Sequence, residues 1–154
     1  MLRGFATVNF YADDLEEAGR WYHEATGVEP YFRVYACGGC GNRSREARCA
    51  DCDADTMLGY LELRIGDYEH ELGFVNRMWA PPQPDGPGGA IVYWHVDNLQ
   101  ETLDHLESLG AKPHAPITEH GPGFVTASVV DPFGNVLGIM YNAHYLSILA
   151  REDA

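Results

Sequence analysis

A single supersecondary unit is written twice along this chain, and that repeat limits the fold more than any other feature. The clearer copy runs from 88 to 142. Ala90–Val96 is a β-rich run, and Asn98 follows as a helix N-cap, with Glu101 placed to close a capping box. Leu99, Leu103 and Leu106 then recur at helical spacing, and Gly110 supplies the C-terminal stop. Strands are predicted at Lys112–Thr118 and Phe124–Val130, on either side of the turn-rich His120-Gly121-Pro122-Gly123. Asp131-Pro132-Phe133-Gly134 makes a tight turn into a last strand, Asn135–Asn142. The unit is βαβββ.

The first half carries the same order. Ala6–Ala12 reads as a strand, and Asp14-Leu15-Glu16-Glu17 repeats the cap pattern of Asn98-Leu99-Gln100-Glu101. Leu15, Ala18, Trp21, Tyr22 and Ala25 form a helical stripe that stops at Gly27. Pro30–Tyr35, Leu58–Ile65 and Glu69–Asn76 read as strands, and Glu71-Leu72-Gly73-Phe74 sits where Val136-Leu137-Gly138-Ile139 sits in the second copy. The reading is therefore α+β: one domain over 1–154, with module one at about 4–76, module two at about 88–142 and a tail from 143. Leu146, Leu149 and Ala150 in the tail have helical spacing and predict a short helix over the module edge or a partner subunit.

The net charge of −13 argues against nucleic acid as a partner, because neutralising phosphates needs clustered Lys and Arg. No apolar run approaches the roughly 20 residues of a membrane span, and Asp13 and Asp14 come too early for a signal sequence. The expected compartment is the cytoplasm, where the four cysteines stay reduced.

Asp13-Asp14-Leu15, Val96-Asp97-Asn98-Leu99, Leu109-Gly110-Ala111-Lys112-Pro113 and the closing Asp131-Pro132-Phe133-Gly134-Asn135 occur in an order and spacing that resembles the vicinal-oxygen-chelate superfamily. That group includes glyoxalase, bleomycin-resistance proteins and extradiol dioxygenases. The resemblance covers nearly the whole chain apart from about 36–56 and the tail. It implies that the eight predicted strands form a curved cup with a helix behind each half, a ligand on the concave face, and a homodimer. By strand alternation Thr7, Asn9 and Tyr11 would face the cup, as would Ile91, Tyr93 and His95, then Glu71, Gly73 and Val75, and Val136, Gly138 and Met140. Metal-dependent members place ligands on those four strands, and the matching positions here are Thr7, Gly73, Ile91 and Gly138. None of these is a competent ligand for zinc, nickel or iron.

Between the second and third strands lies a segment that module two lacks. Cys37-Gly38-Gly39-Cys40 and Cys49-Ala50-Asp51-Cys52 hold all four cysteines of the protein. Two residues between paired thiols turn the chain so that both sulfurs reach one ion, and four thiolates make a tetrahedral zinc site of structural type, a zinc knuckle. Compartment disfavours two local disulfides, and idle thiols so placed would be an oxidation liability. Rubredoxin-like iron would need a different setting. Arg43, Arg45 and Arg48 lie inside the segment, where guanidinium charge offsets that of the thiolates.

The favoured function is a small-molecule binding protein similar to the bleomycin-resistance branch, with a cup free of metal. Thr7, Asn9, Tyr11, Tyr93, His95 and Met140 are its expected lining, aromatic and hydrogen-bonding, suited to a flat or amphipathic organic ligand. The alternative is a glyoxalase-like lyase or isomerase with His95 and Glu71 as acid and base. A redox-sensing or interaction module run by the cysteines is a third reading. Glu62 and Arg64 alternate with Leu61 and Leu63, which leaves open whether they face the cup or solvent. Glu119 and His120 are expected in a loop over the cup mouth.

Overall fold

The computed structural model describes residues 6–47, 49, 55–80, 86 and 90–152. The chain divides into two compact units, Met1–Gln83 and Pro84–Ala154. Their boundary falls in the Pro- and Gly-rich stretch between the predicted modules.

The first unit holds β1 (Thr7–Ala12), α1 (Leu15–Thr26), β2 (Phe32–Cys37), β3 (Arg43–Ser44), β4 (Thr56–Ile65) and β5 (His70–Asn76), then a 3-10 turn at Arg77–Trp79. The second holds β6 (Val92–His95), α2 (Leu99–Ser108), β7 (Lys112–Gly121), β8 (Phe124–Val130), β9 (Val136–Asn142) and α3 (Ala143–Glu152). The sheets run β1-β5-β4-β2-β3 and β6-β9-β8-β7. In each, the first strand lies parallel to the last and the remaining pairs are antiparallel. The repeat is thus a repeat of topology, with β3 added at the edge of the first sheet.

Local chemistry starts and stops the helices as the sequence requires. Asp14 Oδ1 accepts the Glu17 N–H at 2.9 Å, and Asn98 Oδ1 accepts that of Glu101 at 3.2 Å. Helix α1 ends at Gly27, which adopts φ 72° and donates its N–H to His23 O. Behind the first sheet, Trp21 and Tyr22 bury with Leu61, Leu63, Leu72, Phe74 and Phe10. Tyr22 and Phe74 stack tilted at 4.5 Å between ring centres. Behind the second, Leu99 and Leu106 bury with Ala127, Val129, Leu137 and Ile139. The predicted tight turn is closed by buried Asp131, whose carboxylate takes the N–H groups of Phe133 and Asn135 at 3.0 and 2.7 Å.

Two expectations change. Strand β7 continues to Gly121, so Glu119 and His120 belong to a sheet rather than to a loop. The ladder to β8 carries them through Glu119↔Val125 and Gly121↔Phe124 despite several bulges, which local turn signals do not reveal. The cysteine segment contributes a ninth strand, β3, too short to register as a periodic pattern. No helix among the described residues is long and apolar enough to cross a membrane.

Candidate functional site

With the leucines of β4 facing α1, strand alternation turns Tyr60, Glu62 and Arg64 onto the opposite, helix-free face. The register then aligns Phe32, Glu62, Gly73 and Asn9 in one row across four strands, and Val34, Tyr60, Val75 and Tyr11 in the next. A third row holds Arg64, Glu71 and Thr7. Thr7, Asn9, Tyr11 and Glu71 therefore share a face, and Glu62 joins them.

Glu62 is 8% exposed and accepts hydrogen bonds from the hydroxyls of Tyr31 and Tyr60. The Tyr31 hydroxyl also lies 3.4 Å from Glu71 Oε1, and Thr7 Oγ1 donates to Glu71 Oε2 at 2.8 Å. Arg64 stacks on the Tyr31 ring at 4.6 Å. Burial, then the bond to Glu62, pushes the Tyr60 phenol well above the usual tyrosine range, and the Glu62 bond chiefly raises Tyr31. A phenol raised in the folded state keeps its proton to higher pH than in the unfolded chain. Its contribution to stability is whole below the ordinary tyrosine value of 10.0 and is lost as pH climbs above it. Phenolate absorbance should therefore show a late-titrating component that Tyr60→Phe removes and Glu62→Gln advances. A titration in which every tyrosine ionises together near pH 10 would contradict the network.

The second unit places Tyr93, Gly138 and Ser128 in one row of the face turned away from α2, and His95, Met140 and Thr126 in the next. His114 Nδ1 lies 2.9 Å from Ser128 Oγ, and His120 Nε2 lies 2.9 Å from Thr126 Oγ1. His95 is held on several sides: its ring stacks on Tyr145 of α3 at 4.8 Å and 18°, and its Nδ1 accepts the Asn142 N–H at 3.2 Å. In the neutral ring the proton then sits on Nε2, which is buried with no hydrogen-bond partner and 3.7 Å from Asp97 Oδ1. Glu71 belongs to the first unit and His95 to the second.

Gly73 and Gly138 occupy corresponding positions in the two sheets, and a Cβ on either would come within 3.0 Å of its neighbours. A Cβ on Gly73 would strike Asn9 Oδ1 and the Tyr60 hydroxyl, and would lie 2.8 Å from Tyr60 Cε2. On Gly138 it would meet Tyr93 Cδ1 at 2.7 Å, Ile91 Cγ2 at 2.8 Å and the Val92 carbonyl oxygen at 2.8 Å. Neighbouring side chains, aromatic in each case, occupy that space.

The thiol sulfurs of Cys37, Cys40 and Cys49 lie within 4.8 Å of one another, with Cys40 and Cys49 at 3.5 Å. Tetrahedral zinc with bonds of about 2.3 Å spaces its sulfurs about 3.8 Å apart, so the cluster suits such an ion. The N–H groups of Gly39 and Cys40 point at Cys37 Sγ from 3.3 and 3.5 Å. Cys52 lies outside the described residues, as does Arg48.

The profile of the Glyoxalase/Bleomycin resistance protein/Dioxygenase superfamily matches residues 4–139. This chain belongs to that superfamily. No curated protein matches it significantly. Among solved structures it is similar to a glyoxalase-related enzyme from Fulvimarina pelagi, at 18% identity and a TM-score of 0.61, over 92% of this chain and 89% of that one. A glyoxalase family protein from Bacillus cereus gives 13% and 0.63, over 91% and 94%. A bleomycin resistance determinant encoded on the transposon Tn5 gives 20% and 0.55, over 92% and 99%. At these identities the likeness is one of glyoxalase-type fold.

Within the superfamily's fold, sequence reasoning had left Glu62 open although a signal was available. Leu61 and Leu63 must face a helix, which forces Glu62 to the other side. The reach of the Tyr31 hydroxyl to both glutamates had no such signal, because Tyr31 lies just before β2.

Proposed function

We propose that this protein binds a small organic ligand on the sheet faces turned away from α1 and α2, without a catalytic metal there, and carries structural zinc in the cysteine segment. The observation that carries the reading is the filled space at Gly73 and Gly138. Two of the four positions where metal-dependent relatives place ligands hold no side chain, and the space a side chain would take there is occupied by neighbouring groups. The other two, Thr7 and Ile91, offer no strong donor. What lines the faces instead is aromatic and hydrogen-bonding, with Glu62, Glu71 and Arg64 beside it: Asn9, Tyr11, Thr7 and Tyr60 in one unit, Tyr93, His95 and Met140 in the other. Such faces suit a flat amphipathic molecule.

His95 is the residue on which binding and catalysis part company. With Nδ1 accepting the Asn142 N–H, the neutral ring offers a donor at Nε2, so His95 suits a hydrogen-bond donor better than a general base. The cytoplasm is the proposed compartment, where thiolates stay available to a metal, and the protomers are proposed to pair as homodimers, which light scattering would check.

Thermal-shift screening of aromatic amphipathic compounds, with bleomycin as one probe because of the Tn5-encoded neighbour, would find the ligand. On a hit, His95→Ala should weaken binding by about tenfold, on the order of one lost hydrogen bond and its packing. Glu71→Gln should leave no turnover to lose. If His95→Ala or Glu71→Gln abolishes turnover of a substrate while affinity holds, the protein is a lyase or isomerase with these residues as acid and base.

A further inference from the structure

The cysteine segment does more than close on itself. Strand β3 pairs with β2 through Tyr35↔Ser44 and Ala36↔Arg43, and Arg45 follows directly after it. From there its guanidinium lies over the Phe32 ring, 4.2 Å from the ring centre. Phe32 heads the row that continues through Glu62, Gly73 and Asn9, and its ring meets Tyr60 edge-on at 6.1 Å. An insertion absent from the second module thus places a cation on the face read above as the ligand face.

What holds Arg45 there is weak by itself. A two-residue strand is too short to persist alone, and among the described residues its neighbours add the Thr56 hydroxyl on Ala47 O, the Ser44 hydroxyl on Glu46 O and the Glu46 N–H on Ser44 Oγ. Arg45 is itself exposed. The thiols bracket it, with Cys40 before and Cys49 after, and both converge on Cys37 at the end of β2. An ion bound to all three closes the loop on both sides of Arg45 and removes most of its freedom to leave the ring.

We infer that Arg45 is a positioning residue of the ligand face, set over Phe32 by metal held at Cys37, Cys40 and Cys49, so that metal loading regulates the shape of that face. The inference rests on the zinc reading proposed above. The test uses the full chain, stripped by chelation and titrated with zinc alone, while aromatic NMR resonances of Phe32 and Tyr60 are followed beside bound zinc. About one equivalent of zinc per chain should shift the Phe32 ring resonances and, more weakly, those of Tyr60. Arg45→Ala should bind the same equivalents and lose the Phe32 shift; because Arg45 is exposed, this variant is expected to fold. Zinc binding without a Phe32 shift, or a shift that survives Arg45→Ala, overturns the inference and leaves the zinc site standing. A stripped chain that takes up no zinc overturns both.

Discussion

Protein purified without chelator is expected to carry about one zinc per chain, and Cys49→Ser to carry none. A metal that binds only the folded chain stabilises it by about 4 kcal/mol when free ion exceeds its dissociation constant a thousandfold. For a domain of this size that is a fall in melting temperature on the order of 10 °C when the metal is removed. The expectation rests on three sulfurs already gathered within 4.8 Å and on N–H groups directed at Cys37 Sγ. Cys52→Ser should weaken zinc binding if the fourth thiol completes the sphere. Metal content by atomic emission and melting with and without chelator decide the matter. A melting temperature indifferent to chelation would return the cysteines to redox chemistry, and a metal that survives Cys49→Ser would lie elsewhere in the chain.

Gly138→Ala should destabilise by about 3 kcal/mol, at the upper end of what overpacking costs. The methyl group would meet Tyr93, Ile91 and the Val92 carbonyl oxygen, and the last of these is backbone of the paired strand β6. Side chains can rotate aside; a ladder strand moves only by giving up its hydrogen bonds. Gly73→Ala should cost less, because Asn9 and Tyr60 present the ends of side chains there, though Tyr60 would have to release Glu62. Gly138→Glu, which supplies the carboxylate that a metal-dependent relative would carry, should lose stability and gain no metal. Denaturant unfolding of the variants gives the first figure and metal content the second. A Gly138→Glu protein that is stable and binds an additional ion would overturn the filled-face reading and bring metal-dependent chemistry back to this fold.

Much of the architecture was legible because its causes are local. Asp14 and Asn98 cap helices by bonding to N–H groups a turn away, Gly27 ends α1 in the left-handed region, and Asp131 folds its turn around its own carboxylate. A repeated order of such signals, with strands that alternate between them, leaves few ways to join the pieces. The thiol spacing belongs to the same class, since two residues between cysteines determine how closely their sulfurs can approach. The course of β7 past Thr118 was not legible, because bulges shift its pairing with β8 and the turn signals at Gly121-Pro122-Gly123 read as an earlier stop.

By itself the sequence determined two βαβββ modules and the close spacing of the paired cysteines, because each follows from chemistry within a few residues. Only the tertiary structure decided that Tyr31 and Tyr60 converge on Glu62, that Arg45 covers Phe32, and that the space over Gly73 and Gly138 is taken. Those contacts join residues from separate strands, and whether they meet depends on strand register and side-chain reach, which no local pattern records.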